Sequence, residues 1–541
     1  MQREAVHLSF GWANYVATHF WNAQQSYFDY SRDAPEPIVE HDVSFIAGRG
    51  VGGVETYSPR ALLFDLRNEF GSLRQISALY GGLEQDEMRQ SWSGEVHAQQ
   101  AIAPSWYASV LEKEDAGEEW DDQEQDQEDH TQDHAPRPER TGTGAETATT
   151  ADANLQKNAT AHRHGRAIEY WSDYSRVFFH PRSLVHVASP SLSGTTFMQP
   201  MGSDVLQFSS YEQGHQVAVC MEHDQSVMDD NLRWLAEDSD LLQGFHIATS
   251  SFDGFSGYSN WYLSELAEEF PKTPRIAFAF SRAVRWENSS LQRISQMNNA
   301  LALAAMAENA LVVPVSPHGP VGPHATVDWT NAHQAAAVLA AHIETATLPT
   351  RLRDAKRDTL GSVIGQLNWR RDTPVAVLGG CMPMPLLAPV VQQSAADVLL
   401  EQYFAARAGR RKVEASAAPT PVDITPAWHE FSNGRGGAPY SSYAVGRDSD
   451  ALAEGPTKAA LDARCKEQYP HSTIRFAPLA FNIESSFPQI FHGLTRDGRA
   501  LPQAQSKVRS VPMASALSTS PGTLHVLEEA RKMATWVAAM D

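Results

Sequence analysis

LLQGFHIATSSFDGFSGYSNWYLSELAEEF, residues 241–270, is the stretch from which the rest of the chain is best read. Its apolar run at 244–248 has the character of a buried strand. A turn-rich segment follows at 250–257 (SSFDGFSG). Trp261, Tyr262, Leu266 and Phe270 then recur at helical spacing, with Glu265, Glu268 and Glu269 on the other side. Strand, glycine-bearing loop and helix in succession aim backbone N–H groups and a helix N-terminus at one point. Such a point suits an anion such as phosphate.

The flanking sequence repeats the alternation. Upstream, 4–10 reads as a strand, 12–30 as a helix carrying Tyr15, Phe20, Trp21, Tyr27 and Phe28, and 61–66 (ALLFDL) as a strand. A short helix is expected at 71–80, a strand at 184–188 and an amphipathic helix at 224–240. Downstream come strand 275–281, helix 291–309, strand 311–316 and helix 331–347. Strands alternating with helices of this length predict an α/β domain with a mainly parallel sheet. The glycine-rich run 48–53 (GRGVGG) lacks the strand before it and the helix after it that a dinucleotide fingerprint needs, so it reads as a surface turn. Beyond about 370 the pattern weakens: 375–391 is strand and turn, 414–425 and 433–456 read as loops or insertions, and 521–540 as a closing helix.

Composition narrows the function. A net charge of −22 over 541 residues leaves no basic surplus for direct nucleic-acid binding. Cys220, Cys381 and Cys465 are odd in number and far apart, which fits neither a disulfide framework nor a zinc site. No signal peptide, matrix presequence or lipidation signal is evident, and the longest apolar run, 375–391, is broken by Gly379, Gly380, Pro383, Pro385 and Pro389, so no membrane span is expected. Between 112 and 133 stand twelve acids, with Lys113 the sole Lys or Arg, and a Thr/Ala/Gly tract follows. Neither piece carries enough apolar surface to offset ordering entropy, which predicts a disordered insertion over 112–165. The expected division is therefore 1–111, the insertion 112–165, a continuation 166–350, and a C-terminal α+β region 351–541.

Several motifs resemble one family. Residues 6–21 (VHLSFGWANYVATHFW) resemble the opening strand, first nucleotide loop and first helix of tubulins, while 59–66 (PRALLFDL) and 240–245 (DLLQGF) resemble two further tubulin strands. Residues 171–183 (WSDYSRVFFHPRS), 253–257 (DGFSG), and 55–60 (ETYSPR) followed by 70–74 (FGSLR) resemble the Misato branch of tubulin-like proteins. The resemblance implies a tubulin/FtsZ-like fold: an N-terminal nucleotide-type domain with a mainly parallel sheet, then a second α+β domain. It also implies a role in distributing mitochondria and in inheritance of mitochondrial DNA, at the mitochondrial outer surface and in the cytoplasm. Mitochondria-associated, cytoskeletal or chaperone proteins would be its partners.

The same resemblance places a degenerate GTP site at Gly11, Asn14, Gly254, Ser256, Gly257 and Asn298, with GTP or GDP as the ligand if any is bound. Gly11 stands where tubulins have a glutamine near the phosphates and magnesium, Asn14 is kept, and Asn298 occupies the position of the guanine-contacting asparagine. The phosphate loop, nearly all Gly, Thr and Ser in tubulins, here holds Phe252, Asp253 and Phe255. No G-x-x-N-x-D/E sequence supplies a hydrolytic acid downstream. These changes predict a non-catalytic binding or scaffold protein; a GTP-binding, weakly hydrolysing or polymerising protein stays open as the alternative. A hydrolase elbow fails at 254–258, because Tyr258 fills the last glycine of G-x-S-x-G.

Overall fold

The computed structural model describes residues 4–29, 36–49, 55–71, 168–187, 208–282, 289–318, 324–353, 357–383, 440–449, 471–498 and 507–539, with isolated positions between them. The insertion expected at 112–165 falls outside these residues, as does the helix expected at 71–80 apart from Gly71 and Leu73.

The first lobe runs β1 (Ala5–Phe10), α1 (Ala13–Gln25), the hairpin β2 (Phe45–Arg49) and β3 (Glu55–Pro59), β4 (Ala61–Leu66), β5 (Leu184–Val187), α2 (Tyr211–Gln225), α3 (Arg233–Glu237), β6 (Gly244–Ser250), α4 (Phe255–Glu269), β7 (Arg275–Phe280), α5 (Ser289–Asn309) and β8 (Leu311–Val315). Six of these strands form a parallel sheet in the order β5-β4-β1-β6-β7-β8. Apolar side chains cover both faces, as a parallel sheet requires. On β7, Ala277 and Ala279 join the cluster under α2, α4 and α5, whereas Ile276, Phe278 and Phe280 join the one shared with α1. Pro314, which cannot donate to a ladder, sits on edge strand β8.

The chain continues through α6 (Ala332–Thr347), α7 (Leu360–Leu367), β9 (Val377–Cys381), β10 (Val422–Asp423), β11 (Ser441–Arg447), β12 (Ser472–Ala477), β13 (Phe481–Asn482), β14 (Ser510–Val511), β15 (Met513–Thr519) and α8 (Pro521–Ala538). A mixed five-stranded sheet has the order β10-β9-β15-β11-β12. Its approach segment leans on the first sheet: Val312 N donates to Pro374 O (2.7 Å) and Ala376 N to Val312 O (2.9 Å). Helix α8 then returns to the first lobe, packing Val526, Leu527 and Ala530 into the core that holds Leu303 and Met306 of α5.

Three expectations need correction. The helix expected at 224–240 is present only in part, as a π turn (Met228–Leu232) and the short α3; before it lies α2, which was not expected and which starts at Tyr211 behind a Ser210/Gln213 capping box and ends where Ser226 turns left-handed (φ 49°). The helix expected over 12–30 stops at Gln25. Within the stretch read as a loop at 433–456 lies β11, which is central to the second sheet and pairs with both β12 and β15.

A buried charge cluster joins the lobes. Glu344 of α6 is fully enclosed and accepts from Gln24 (3.1 Å), Tyr27 (3.1 Å), Arg351 (3.2 Å) and, at very short range, Arg447 of β11. Arg447 also donates to the carbonyls of Leu479 (2.8 Å) and Ala480 (3.0 Å). The two guanidinium groups hold the Glu344 carboxyl below its ordinary range against the opposing effect of burial, the largest single influence on it.

Candidate functional site

Strand order reverses beside β1: the chain leaves it for β4 on one side and resumes with β6 on the other. Ligands of open α/β sheets bind outside the carboxyl ends of strands at such a switch point. The loops there are 10–14 after β1 and 250–255 after β6, the two that the sequence singled out.

The loops meet through an aromatic ring. Gly11 adopts φ 60°, and a Cβ built on it would lie 2.3 Å from Cδ2 of Phe255. Phe255 is buried and packs edge-on against Phe208 at 5.0 Å. Its side chain thus fills the space over the first loop where a ligand would approach the backbone.

The N-terminus of α4 is also taken. Gly254 N donates to Phe208 O (3.1 Å), Phe255 N to Asp253 Oδ1 (2.9 Å), Ser256 N to Asp253 O (3.1 Å) and Gly257 N to Gly254 O (3.2 Å). Asp253 accepts from Ser250 Oγ as well (2.7 Å). Burial raises its carboxyl to about 7, against the bonds from Ser250 and Phe255 and the nearby Arg282. A protein carboxyl therefore lies where the helix N-terminus would meet an anion. Ser256, fully buried, turns its hydroxyl back to Asp253 O (2.5 Å), so it is not displayed as a nucleophile.

The glycines serve a second geometry. A Cβ at Gly257 would lie 1.9 Å from Tyr211 O, and one at Gly214 would lie 1.6 Å from Gly254 O. Helices α2 and α4 cross backbone to backbone here, and only residues without Cβ permit that distance.

Asn14 and Asn298 are engaged on opposite sides of the loops. Asn14 Nδ2 donates to Phe64 O (3.0 Å) and Asp65 Oδ2 (2.9 Å), and Trp171 Nε1 donates to the same carboxyl oxygen (3.0 Å). Burial, helped by Glu69, lifts Asp65 to about 7. Asn298 lies within α5, where Oδ1 accepts from Tyr211 N (2.9 Å) and Nδ2 donates to Ser209 O (2.7 Å) and Phe252 O (3.0 Å). It pins α2 and the loop after β6 to α5. Arg60, at the end of the motif 55–60, is an anchor between segments: it bonds Asp238 (2.7 Å) and the Asp42 carbonyl (3.3 Å). Sequence reasoning missed Phe208 and the pairing of Asp65 with Trp171, which no local pattern signals. A cavity of about 40 Å³ lies under α1, lined by His7, Ser9, Phe20, Trp21 and His246 among others, with no residue from the 10–14 or 250–255 loops. That is room for a water or so. Among the described residues no group of three or more His, Cys, Asp or Glu is arranged to hold a metal ion.

This architecture is that of a tubulin-like protein, and residues 160–352 match the tubulin domain family. Residues 3–113 match the Misato segment II tubulin-like domain. The chain is 30% identical over 511 residues to protein dml-1 of Neurospora crassa, covering 88% of this chain and 84% of that one. It is 31% identical over 382 residues to protein DML1 of Gibberella zeae (69% and 66%), and 25% identical over 316 residues to misato homolog 1 of Danio rerio (57% and 50%). The chain belongs to the Misato/DML1 family of tubulin-like proteins.

Proposed function

We propose that this protein is a non-catalytic binding or scaffold member of its family, without a nucleotide at the switch point, acting in the distribution of mitochondria and the inheritance of mitochondrial DNA. The observation that carries the non-catalytic part is the internal satisfaction of Gly254, Phe255, Ser256 and Gly257 N–H groups, with the Phe255 ring over Gly11. A phosphate would have to displace Asp253 from the helix N-terminus and Phe255 from Gly11 together. The mitochondrial part rests on family resemblance, and partners would be mitochondria-associated, cytoskeletal or chaperone proteins. Among the described residues no helix is long and apolar enough to cross a membrane.

Calorimetric titration of nucleotide-stripped protein with GTP, GDP and ATP in the presence of magnesium tests the first part. No heat of binding at millimolar nucleotide is expected. Selective micromolar binding of guanine nucleotides would overturn it and restore the GTPase alternative. Protease treatment of intact mitochondria carrying a tagged copy tests the location: loss of the tag without rupture of the outer membrane is expected.

A further inference from the structure

We propose that the acidic run 112–133 docks, within the same molecule, on a basic face formed by Arg496, Lys507 and Arg509. On that face Val508 is buried while Lys507 and Arg509 on either side of it are exposed, so both cations turn outward just before β14. Arg496 joins them because its carbonyl accepts from Arg509 N (2.8 Å). None of the three side chains makes an ion pair among the described residues. The sequence from 496 to 509 (RDGRALPQAQSKVR) holds four cations against one acid, Asp497, in a chain whose net charge is −22.

The tether lies beside this face. Leu111, the last described residue before the acids, clusters with Tyr107 and Tyr174. Tyr107 donates from its hydroxyl to Ser485 O (3.4 Å), and Ile483, two residues before Ser485, donates its N–H to Arg509 O (2.7 Å). Two residues of extended chain span ~7 Å, so the segment that Tyr107 touches is the one that pairs with Arg509, and the acidic run that begins just after Leu111 is long enough to reach the basic face. It carries twelve acids and one lysine over 22 positions. A segment held by so short a tether is present at an effective concentration of roughly millimolar, enough for many weak charge contacts to add.

Lys507 makes this testable by zero-length carbodiimide coupling of the full chain at low ionic strength, with peptide mapping of the monomer fraction. The expected result is coupling of Lys507 to acids within 112–133, in preference to the control lysines Lys272 and Lys532. Because exposed charge contacts are screened by salt, the yield should fall at least ~3-fold in 0.5 M sodium chloride. It should fall likewise in the R496S/R509S double variant, whose circular dichroism should match the parent because both positions are exposed. Coupling that favours the control lysines, that ignores both salt and the double variant, or that occurs only between isotopically distinct copies would overturn the proposal.

Discussion

If the glycines of the loop after β6 serve the crossing of α2 and α4, then Gly257→Ala should damage folding and not ligand binding. The new Cβ would lie 1.9 Å from Tyr211 O. Nonbonded heavy atoms settle near ~3.5 Å, so the two helices would have to part by more than ~1 Å. Backbone atoms cannot swing aside as a flexible side chain can. Overpacking costs about 1–3 kcal/mol, and a clash this close with backbone belongs at the upper end; alanine returns roughly 1 kcal/mol of helix propensity, so a net loss of about 2 kcal/mol is expected from G257A. Gly214→Ala, on the other helix and outside the loop, should lose as much, since its Cβ would lie 1.6 Å from Gly254 O. Gly365→Ala is the control: it is exposed on α7 with nothing within 4 Å, and it should gain about 0.5–1 kcal/mol. Urea denaturation followed by tryptophan fluorescence reads all three. If G257A and G214A unfold at the parent's midpoint, the helix-crossing role is wrong and the glycines must be explained by a ligand.

Other outcomes follow from the buried charges. Glu344→Gln leaves Arg351 and Arg447 enclosed without a counter-charge, and a loss of about 3–5 kcal/mol is expected in thermal or urea unfolding; a loss below ~1 kcal/mol would mean that water reaches the cluster. Acid should also unfold the protein early. His7, His19, His246, His333 and His342 are buried and held below 6.5 chiefly by burial, His333 and His342 at about 4. They take up protons on unfolding, so stability falls as pH drops from 6.5 toward 4. Asp65 and Asp253, raised to about 7, act in the opposite sense over the same window, because there the folded state holds their protons. The fully buried histidines outnumber these two carboxyls, so the net expectation is a loss of stability as pH falls through 6.5. Urea midpoints at pH 7.5 and 5.5 check this, and equal midpoints would refute it.

The parallel sheet was legible because its strands are continuous apolar runs bounded by turn residues, a signal local to each strand. Strand β11 was not, since SSYAVGR lies among glycines and small residues and acquires its buried face only by packing on α6 and α7. Helix α2 was missed for a related reason. Its apolar face is weak, Gly214 interrupts it, and the capping box that starts it lies well before the stretch whose periodicity drew attention. At the site, the charge of Asp253 and the bulk of Phe255 were visible in the sequence. What they do there was not visible. That Asp253 caps α4, that Phe255 lies on Gly11, and that Asn298 ties α2 to the loop all depend on approaches between residues tens of positions apart.

These approaches bear on the proposal that the switch point works without a nucleotide. A nucleotide at such a point would accept from the helix N-terminus and fill a crevice; here the Asp253 carboxyl accepts from Phe255 N and a phenyl ring fills the space over Gly11. The substitution makes a prediction that separates the proposed scaffold from a lapsed GTPase. Phe255→Ala removes a buried ring and opens a void above Gly11, at a cost of about 3–5 kcal/mol. If the crevice still had affinity for nucleotide, the space so opened would let GTP bind, and a ligand that binds only the folded state at 100 times its Kd would restore about 2.7 kcal/mol. With Asp253 still on the helix N-terminus and its neighbouring N–H groups still bonded internally, no such recovery is expected. The melting temperature of F255A should be the same with and without 5 mM magnesium GTP. A rise with GTP but not with ATP would mean that the ring only masks a guanine-nucleotide site, and the non-catalytic reading would have to be given up.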